Sequence, residues 1–204
     1  MALERRPDGR LVVVTGASRS GKTLWTRREV ERAPRLLVWD SVGEWGDVAS
    51  CERITDIREL ARRCAPPARS ERLAYVAPIT AAEFERFCKL AWVWIRVAPG
   101  ILVVEELADV TSPGKAPPAW GELVRKGLRY GPHIYALTQR PAESDKTVIG
   151  NASTIHCHRM ARAQDRAYMA RELDVDQSQL DALKPLEFIE KHAGGRVTRG
   201  RVKP

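Results

Sequence analysis

Short apolar runs recur along the chain: Leu11-Val-Val-Val-Thr15, Arg35-Leu-Leu-Val-Trp39, Ile101-Leu-Val-Val104, and residues 133–138. Each run is continuous rather than alternating and rich in β-branched residues, which predicts parallel strands buried on both faces. Between them the apolar period lengthens to that of a helix. Residues 21–33 continue from the first run as a helix that stops before Pro34, and Ile57, Leu60 and Ala61 mark another within 56–64. The longest helix spans 80–97, where Phe84, Phe87, Ala91, Trp94 and Ile95 form one stripe. A further helix over 119–129 places Trp120, Leu123, Val124, Gly127 and Leu128 on one face, with Arg125 and Arg129 one turn apart on the exposed side. The remaining pattern gives a strand at 72–77, a helix at 142–150, a strand at 154–157, helices at 163–173 and 177–183, and a terminal hairpin near 187–191 and 196–202. Pro- and Gly-rich stretches at 66–71 and 109–118 break the pattern. This succession predicts an α/β fold: a mainly parallel central sheet flanked by helices, with a C-terminal β-hairpin, in one domain over 1–204.

Composition fits a soluble globular chain, with 44% hydrophobic and 29% charged residues. The net charge of +8 comes largely from arginines spread along the chain. That balance suits a polyanionic partner, or reflects an arginine-rich composition. Cys51, Cys64, Cys88 and Cys157 show no C-x-x-C pairing, so neither a zinc ribbon nor a disulfide framework is expected, and a reducing compartment is. The first ten residues are charged and no long apolar run follows, so no membrane span is expected.

The chemistry concentrates where strands end. Gly16-Ala17-Ser18-Arg19-Ser20-Gly21-Lys22-Thr23 follows the first strand and opens a helix that continues through Leu24, which is the G-x-x-x-x-G-K-[ST] phosphate loop in its required setting. Backbone N–H groups of such a loop converge on phosphate oxygens, Lys22 supplies a charge for the β- and γ-phosphates, and Thr23 offers its hydroxyl to Mg²⁺. The strand at 101–104 ends in Glu105 and Glu106, the Walker B arrangement. There Glu105 is expected to hold Mg²⁺ through water and Glu106 to activate the attacking water as general base. Gln139, at the tip of a neighbouring strand, can hydrogen-bond the γ-phosphate or that water. The pair implies ATP hydrolysis. Asp40 and Glu44, in the turn after the second strand, either face the nucleotide or a neighbouring subunit, or serve as turn and helix cap. Trp92 and Trp94 read as packing residues rather than base-stacking ones. His156-Cys157-His158 alternates along a strand, which sets the histidines on one face and the cysteine on the other and disfavours a shared metal. Lys115, in the 109–118 loop, and the basic tail at 196–203 could reach a polyanion.

GASRSGKT, VWDSVGEW, ILVVEEL and GLRYGPHIYALTQRP, in that order, resemble the FtsK/HerA superfamily of P-loop translocases, especially the genome-packaging ATPases of tailless, internal-membrane (tectivirus-like) viruses. The resemblance extends from Leu11 to about Val202. It implies a RecA-like core assembled into a ring, usually a hexamer, with ATP and Mg²⁺ between subunits and double-stranded DNA through the middle. It gives Lys22 and Thr23 the Walker A roles, Glu105 and Glu106 the Walker B roles and Gln139 the sensor role. Arg129, in the G-L-R-Y-G context, matches the family's arginine finger, with Arg125 and Arg140 as substitutes. Walker B usually has Asp at the position of Glu105, which leaves open how Glu105 and Glu106 divide the metal and base roles. Capsid or portal-vertex partners, in the host cytoplasm or at the virion packaging vertex, follow from the same resemblance. Rival readings are a conjugative or chromosome DNA pump or phage-assembly ATPase, a small-molecule or nucleotide kinase, and a nucleotide-switched binding module.

Overall fold

The computed structural model describes residues 9–65 and 70–203; the charged N-terminal stretch and most of the Pro-rich break at 66–71 lie outside them. Nine strands form one sheet: β1 (Arg10–Thr15), β2 (Arg35–Trp39), β3 (Glu52–Ile54), β4 (Glu71–Tyr75), β5 (Ile101–Val104), β6 (His133–Thr138), β7 (Thr154–His158), β8 (Glu187–His192) and β9 (Val197–Arg201). Their order is β3-β4-β2-β5-β6-β1-β7-β8-β9. Pairing is parallel from β3 through β7 and antiparallel from β7 to β9. This is the expected α/β architecture with its C-terminal hairpin.

The helices are α1 (Lys22–Val30), α2 (Trp45–Val48), α3 (Ile57–Cys64), α4 (Ala81–Val97), α5 (Pro118–Lys126), α6 (Lys146–Gly150), α7 (Ala163–Leu173) and α8 (Gln177–Asp181). Several boundaries move from the predicted ones for local reasons. The helix expected over 119–129 is α-helical only to Lys126 and tightens into a 3₁₀ turn over Gly127–Tyr130, closed by Gly131 at φ 81°. Arg129 therefore sits on that turn, not on the α-helix. The helix expected over 142–150 divides because Asp145 leaves the ladder to accept the Val148 N–H at 3.2 Å as the N-cap of α6. Neither α2 nor β3 is anticipated by the periodicity. In β3 only Ile54 is buried, so no apolar run marks that edge strand.

Both faces of the central strands β1, β2, β5 and β6 are covered, which is why these strands carry no polar alternation. Leu11, Val13, Leu37, Trp39 and Leu102 face a core shared with α3, α4, α5 and α7. Val12, Val14, Leu36, Val38 and Val103 face a smaller core closed by Val30 of α1 and Trp45 of α2. Helix α4 begins with a capping interaction, the Glu83 N–H donating to Thr80 Oγ1 at 3.2 Å. At its other end, buried Arg35 lies 3.6 Å from the Trp94 ring centre and donates to the Trp94 and Ala98 carbonyls at 2.9 and 2.5 Å. The Trp94 indole N–H donates to Glu71 Oε1 at 3.1 Å. Trp94 is fully buried and Trp92 meets Tyr130 edge-on at 5.7 Å, so these tryptophans pack the protein.

Replacing Trp94 separates packing from hydrogen bonding. Trp94→Ala is expected to cost about 3–5 kcal/mol, and Trp94→Phe, which leaves the buried Glu71 oxygen without its donor, about 1–3 kcal/mol. Urea denaturation at constant m-value measures both.

Candidate nucleotide site

Strand β1 ends at Thr15, and the chain then folds into a loop that a side chain on either glycine would obstruct. Gly16 has φ 151°, and a Cβ there would lie 2.5 Å from Ser20 Oγ and 2.7 Å from His158 Cβ. Gly21 has φ 114° and is the N-cap of α1 without any side-chain cap. The first turn of α1 carries no acidic residue, so its N–H groups and partial positive charge stay available to an anion. The Lys22 ammonium donates to the Ala17 carbonyl at 3.2 Å and so lies back over the loop. Its burial lowers the ammonium pKa, while Glu106 and Glu105 pull it up. Ser18 and Arg19 are exposed, Arg19 with φ 57°, and Ser20 is buried. A cavity of about 260 Å³ beside the loop is lined by Arg19, Ser20, Lys22, Thr23, Leu24 and Leu186.

The sheet register brings the other predicted residues to the same edge. Val13 and Val104 both pair with Ala136, and Thr15 with Thr138, so β1 and β6 end level while β5 stops two positions earlier, which leaves Glu105 and Glu106 beside the last residues of β6. Glu105 follows directly on β5, its N–H donating to the Trp39 carbonyl at 3.2 Å. Its side chain is buried, with Oε2 lacking any hydrogen-bond partner. Burial raises its pKa to about 7, and the negative charges of Asp40 and Glu106 act in the same direction. Glu106 then turns out of the strand with φ 43°, and Gln139 Nε2 donates to Glu106 Oε1 at 2.6 Å. Lys22, Glu105, Glu106 and Gln139 thus belong to one electrostatic cluster.

Asp40 is not aimed at a ligand. It is buried, and its carboxylate accepts the N–H groups of Gly43, Glu44 and Trp45 at 2.7, 3.2 and 3.0 Å, which is the turn and cap role. Exposed Glu44 pairs with Arg27 at 3.0 Å. The three candidate arginines separate. Arg140 stands beside Gln139 and pairs with Glu143 at 3.1 Å. Arg125 is exposed on the last turn of α5. Arg129 is exposed on the turn leading into β6, the opposite end of the strand from Gln139, and so lies apart from the other predicted site residues. Lys115 is exposed in the loop that lines a cavity of about 480 Å³ with Ala81, Asp109 and Pro117. His156 and His158 share a face, Nε2 to Nε2 at 3.1 Å, with Cys157 on the other. Leu186 and His158 touch the loop, a contact that nothing local in the sequence announces, because both lie far along the chain.

The chain is 36% identical over 181 residues to protein P9 of Pseudoalteromonas phage PM2, spanning 88% of this chain and 80% of P9. It belongs to the P9 family. No family model matches the chain. Among solved structures, the genome packaging NTPase B204 of Sulfolobus turreted icosahedral virus 2, in complex with AMPPCP, superposes with a TM-score of 0.79 at 13% identity, covering 96% of this chain and 99% of that one. VirB4 of Thermoanaerobacter pseudethanolicus gives 0.70 at 9% identity, over 95% of this chain and 89% of that one. At such identities the likeness is one of fold, and it establishes the P-loop NTPase fold for this P9 relative. Among the described residues no helix is long and apolar enough to cross a membrane.

Because burial raises Glu105, its ionisation disfavours the folded chain. A carboxylate with a raised folded pKa adds stability below its unfolded value, and this is lost as pH rises through about 7. In metal-free buffer Glu105→Gln should therefore raise the unfolding free energy more at pH ~8 than at pH ~5, by an amount on the order of 3 kcal/mol, read from urea denaturation at the two pH values.

Proposed function

We propose that this protein is an oligomeric, Mg²⁺-dependent ATPase that moves double-stranded DNA into a preformed viral capsid. The observation that carries the reading is the 2.6 Å bond from Gln139 to Glu106 at the strand edge that also bears the phosphate loop. It holds a carboxylate oxygen and an amide in one place, where a water attacking a γ-phosphate can be both oriented and deprotonated. The loop amides from Gly16 to Leu24 bind the phosphates, and Lys22, released from the Ala17 carbonyl, neutralises their charge. Thr23 and Glu105 fit Mg²⁺. Glu105 has a buried oxygen without a partner and a carboxyl that retains its proton near neutrality, and a divalent cation removes both penalties. Bound there, Mg²⁺ would polarise the β- and γ-phosphate oxygens.

Arg129 completes the site of an adjacent subunit in a ring, in the manner of an arginine finger. The genome packaging NTPase B204, which is seen in complex with AMPPCP and with ATP-gammaS, supports this reading for a chain of the same fold. The +8 charge supports phosphate-dominated, sequence-independent DNA binding that weakens steeply with salt. Capsid or portal-vertex proteins are the expected docking partners, with the motor acting in the host cytoplasm at the packaging vertex. VirB4 and the conjugation coupling protein TcpA, which gives a TM-score of 0.59, favour a second reading as a pump for DNA transfer between cells. Binding to empty capsids of its own virus separates the two.

Duplex DNA at low salt should stimulate ATP hydrolysis by the assembled chain, and Lys22→Ala should abolish turnover. No stimulation in an assembled ring refutes translocation. Arg129→Ala should bind nucleotide but lose about 10³-fold or more in turnover. Mixing it with Glu106→Gln should restore some activity, because mixed interfaces then contain intact sites. Absence of rescue refutes the trans role.

A further inference from the structure

Behind the phosphate loop lies a closed line of side chains that the hydrolytic chemistry does not use. His158 is fully buried, and it packs against both loop glycines: a Cβ on Gly16 would come within 2.7 Å of His158 Cβ, and one on Gly21 within 3.1 Å of His158 Cε1. From His158 two bonds run outward. Nδ1 lies 3.1 Å from the Glu187 carbonyl oxygen, and Nε2 lies 3.1 Å from His156 Nε2. His156, also fully buried, continues through Nδ1 to Glu190 Oε2 at 2.6 Å. Trp25 stacks on His156 at 3.8 Å and Phe188 covers it at 4.2 Å, so neither ring can turn away. The same hairpin segment holds the loop directly, the Leu186 N–H donating to the Ser20 carbonyl at 3.0 Å with Leu186 at φ 69°. A leucine is kept in that conformation only where its surroundings demand it.

The proton count of this line is decisive. Both ends are acceptors, a carboxylate oxygen of Glu190 and a peptide carbonyl of Glu187. Three links join them through two imidazoles, and each link needs one proton. Two neutral imidazoles carry only two N–H groups. The complete relay therefore holds one proton more than two neutral rings, shared between His156 and Glu190. Burial, aided by the charges of His156 and Lys22, drives His158 down to about 3, so His158 is the neutral ring, with its N–H on Nδ1. His156 then donates through both nitrogens, to Glu190 and to His158.

We propose that His158 is a positioning residue for the phosphate loop and that the His156–Glu190 pair supplies the proton that keeps it in place, so that nucleotide affinity follows the protonation of this relay. The proposal rests on the nucleotide reading of the loop. When the extra proton leaves, one link has no donor and two bare lone pairs face each other at about 3 Å, which loosens the ring beneath Gly16 and Gly21. Burial lowers His156 from its ordinary value while the Glu190 bond raises it, with a net downward direction. The sign follows from the proton count: the relay gains its third proton as pH falls and loses it as pH rises. The other charged or titratable groups around the relay are Arg10 on β1, Lys22 and Glu29 on α1, Tyr135 on β6, and His192 on β8, whose Nε2 lies 3.1 Å from Glu190 Oε1.

Glu190→Gln tests this because an amide brings a fixed proton. Its N–H donates to His156 Nδ1, its oxygen still accepts from His192, and two neutral imidazoles then complete all three links. His158→Asn is the second variant, since its amide N–H reaches the Glu187 carbonyl while its side chain ends short of His156. ADP binding by the full chain is measured by calorimetry in EDTA from about pH 5 to about pH 8. Because all chains share Glu105 and Lys22, ratios between them cancel those titrations. Relative to Glu190→Gln, the wild-type affinity should fall about tenfold over that range, the equivalent of one hydrogen bond. His158→Asn should likewise lack the fall. A constant ratio between wild type and Glu190→Gln, or a His158→Asn profile identical to the wild type's, overturns the relay while leaving nucleotide binding intact. A wild-type chain that binds no ADP at any pH overturns the nucleotide reading as well. Should a variant fail to fold, ¹⁵N spectra of the wild-type imidazoles decide the question: two N–H groups on His156 in mild acid support the relay, and a single one at every pH overturns it.

Discussion

The site depends on the register of three parallel strands. Because β6 lies between β1 and β5 and pairs with both in step, β1 and β6 end together and β5 stops two residues short, so Glu105 and Glu106 come out at the same edge as the loop after β1. No loop has to reach for the others. The phosphate loop, Gln139 and the two glutamates are placed by backbone hydrogen bonds within a sheet buried on both faces, where a slip of one residue would turn every apolar side chain to the wrong side. That edge is also where helix α1 presents free amides, so an anion meets a fixed positive end and a buried carboxylate at once.

Rigid strand tips need support from the elements around them, and two sets of contacts supply it. On one side the C-terminal hairpin closes against the loop through Leu186, Glu187 and the paired histidines. On the other side the segment after Gln139 is fixed by Thr138 Oγ1 and Ser144 Oγ at 2.9 Å, and by the Asp145 N–H donating to Thr111 Oγ1 at 3.2 Å. The Trp120 indole donates to Asp145 at 2.9 Å. The loop that carries Lys115 is thereby anchored to the segment that follows Gln139.

Much of this was legible in the sequence. Continuous apolar runs give strands buried on both faces; Glu105, Glu106 and Gln139 follow such runs by one or two positions and Lys22 sits in the glycine-bounded loop after the first, so all four could be read from one chain. What could not be read depends on contacts between distant segments. Edge strand β3 buries only Ile54 and so has no periodic signature. Asp40 looked able to face a ligand, but three backbone N–H groups claim its carboxylate. The alternation of His156 and His158 predicted their shared face, yet nothing local told that this face lies against Gly16 and Gly21, because the loop and β7 are separated by more than a hundred residues. Arg129 shows the remaining limit. Its position is set by a 3₁₀ turn at the far end of β6, away from the other predicted residues, and the role proposed for it involves a second copy of the chain.

The account's central claim is that Glu106 and Gln139 act on the attacking water as one unit. A double-mutant cycle on single-turnover ATP hydrolysis, with Glu106→Gln, Gln139→Ala and both together at saturating nucleotide, tests it most directly. The account predicts strong non-additivity, with the double variant no slower than the slower single one within a factor of about two. Losses that simply multiply would contradict it, since they would mean that the two residues contribute independently and that their hydrogen bond has no part in the reaction.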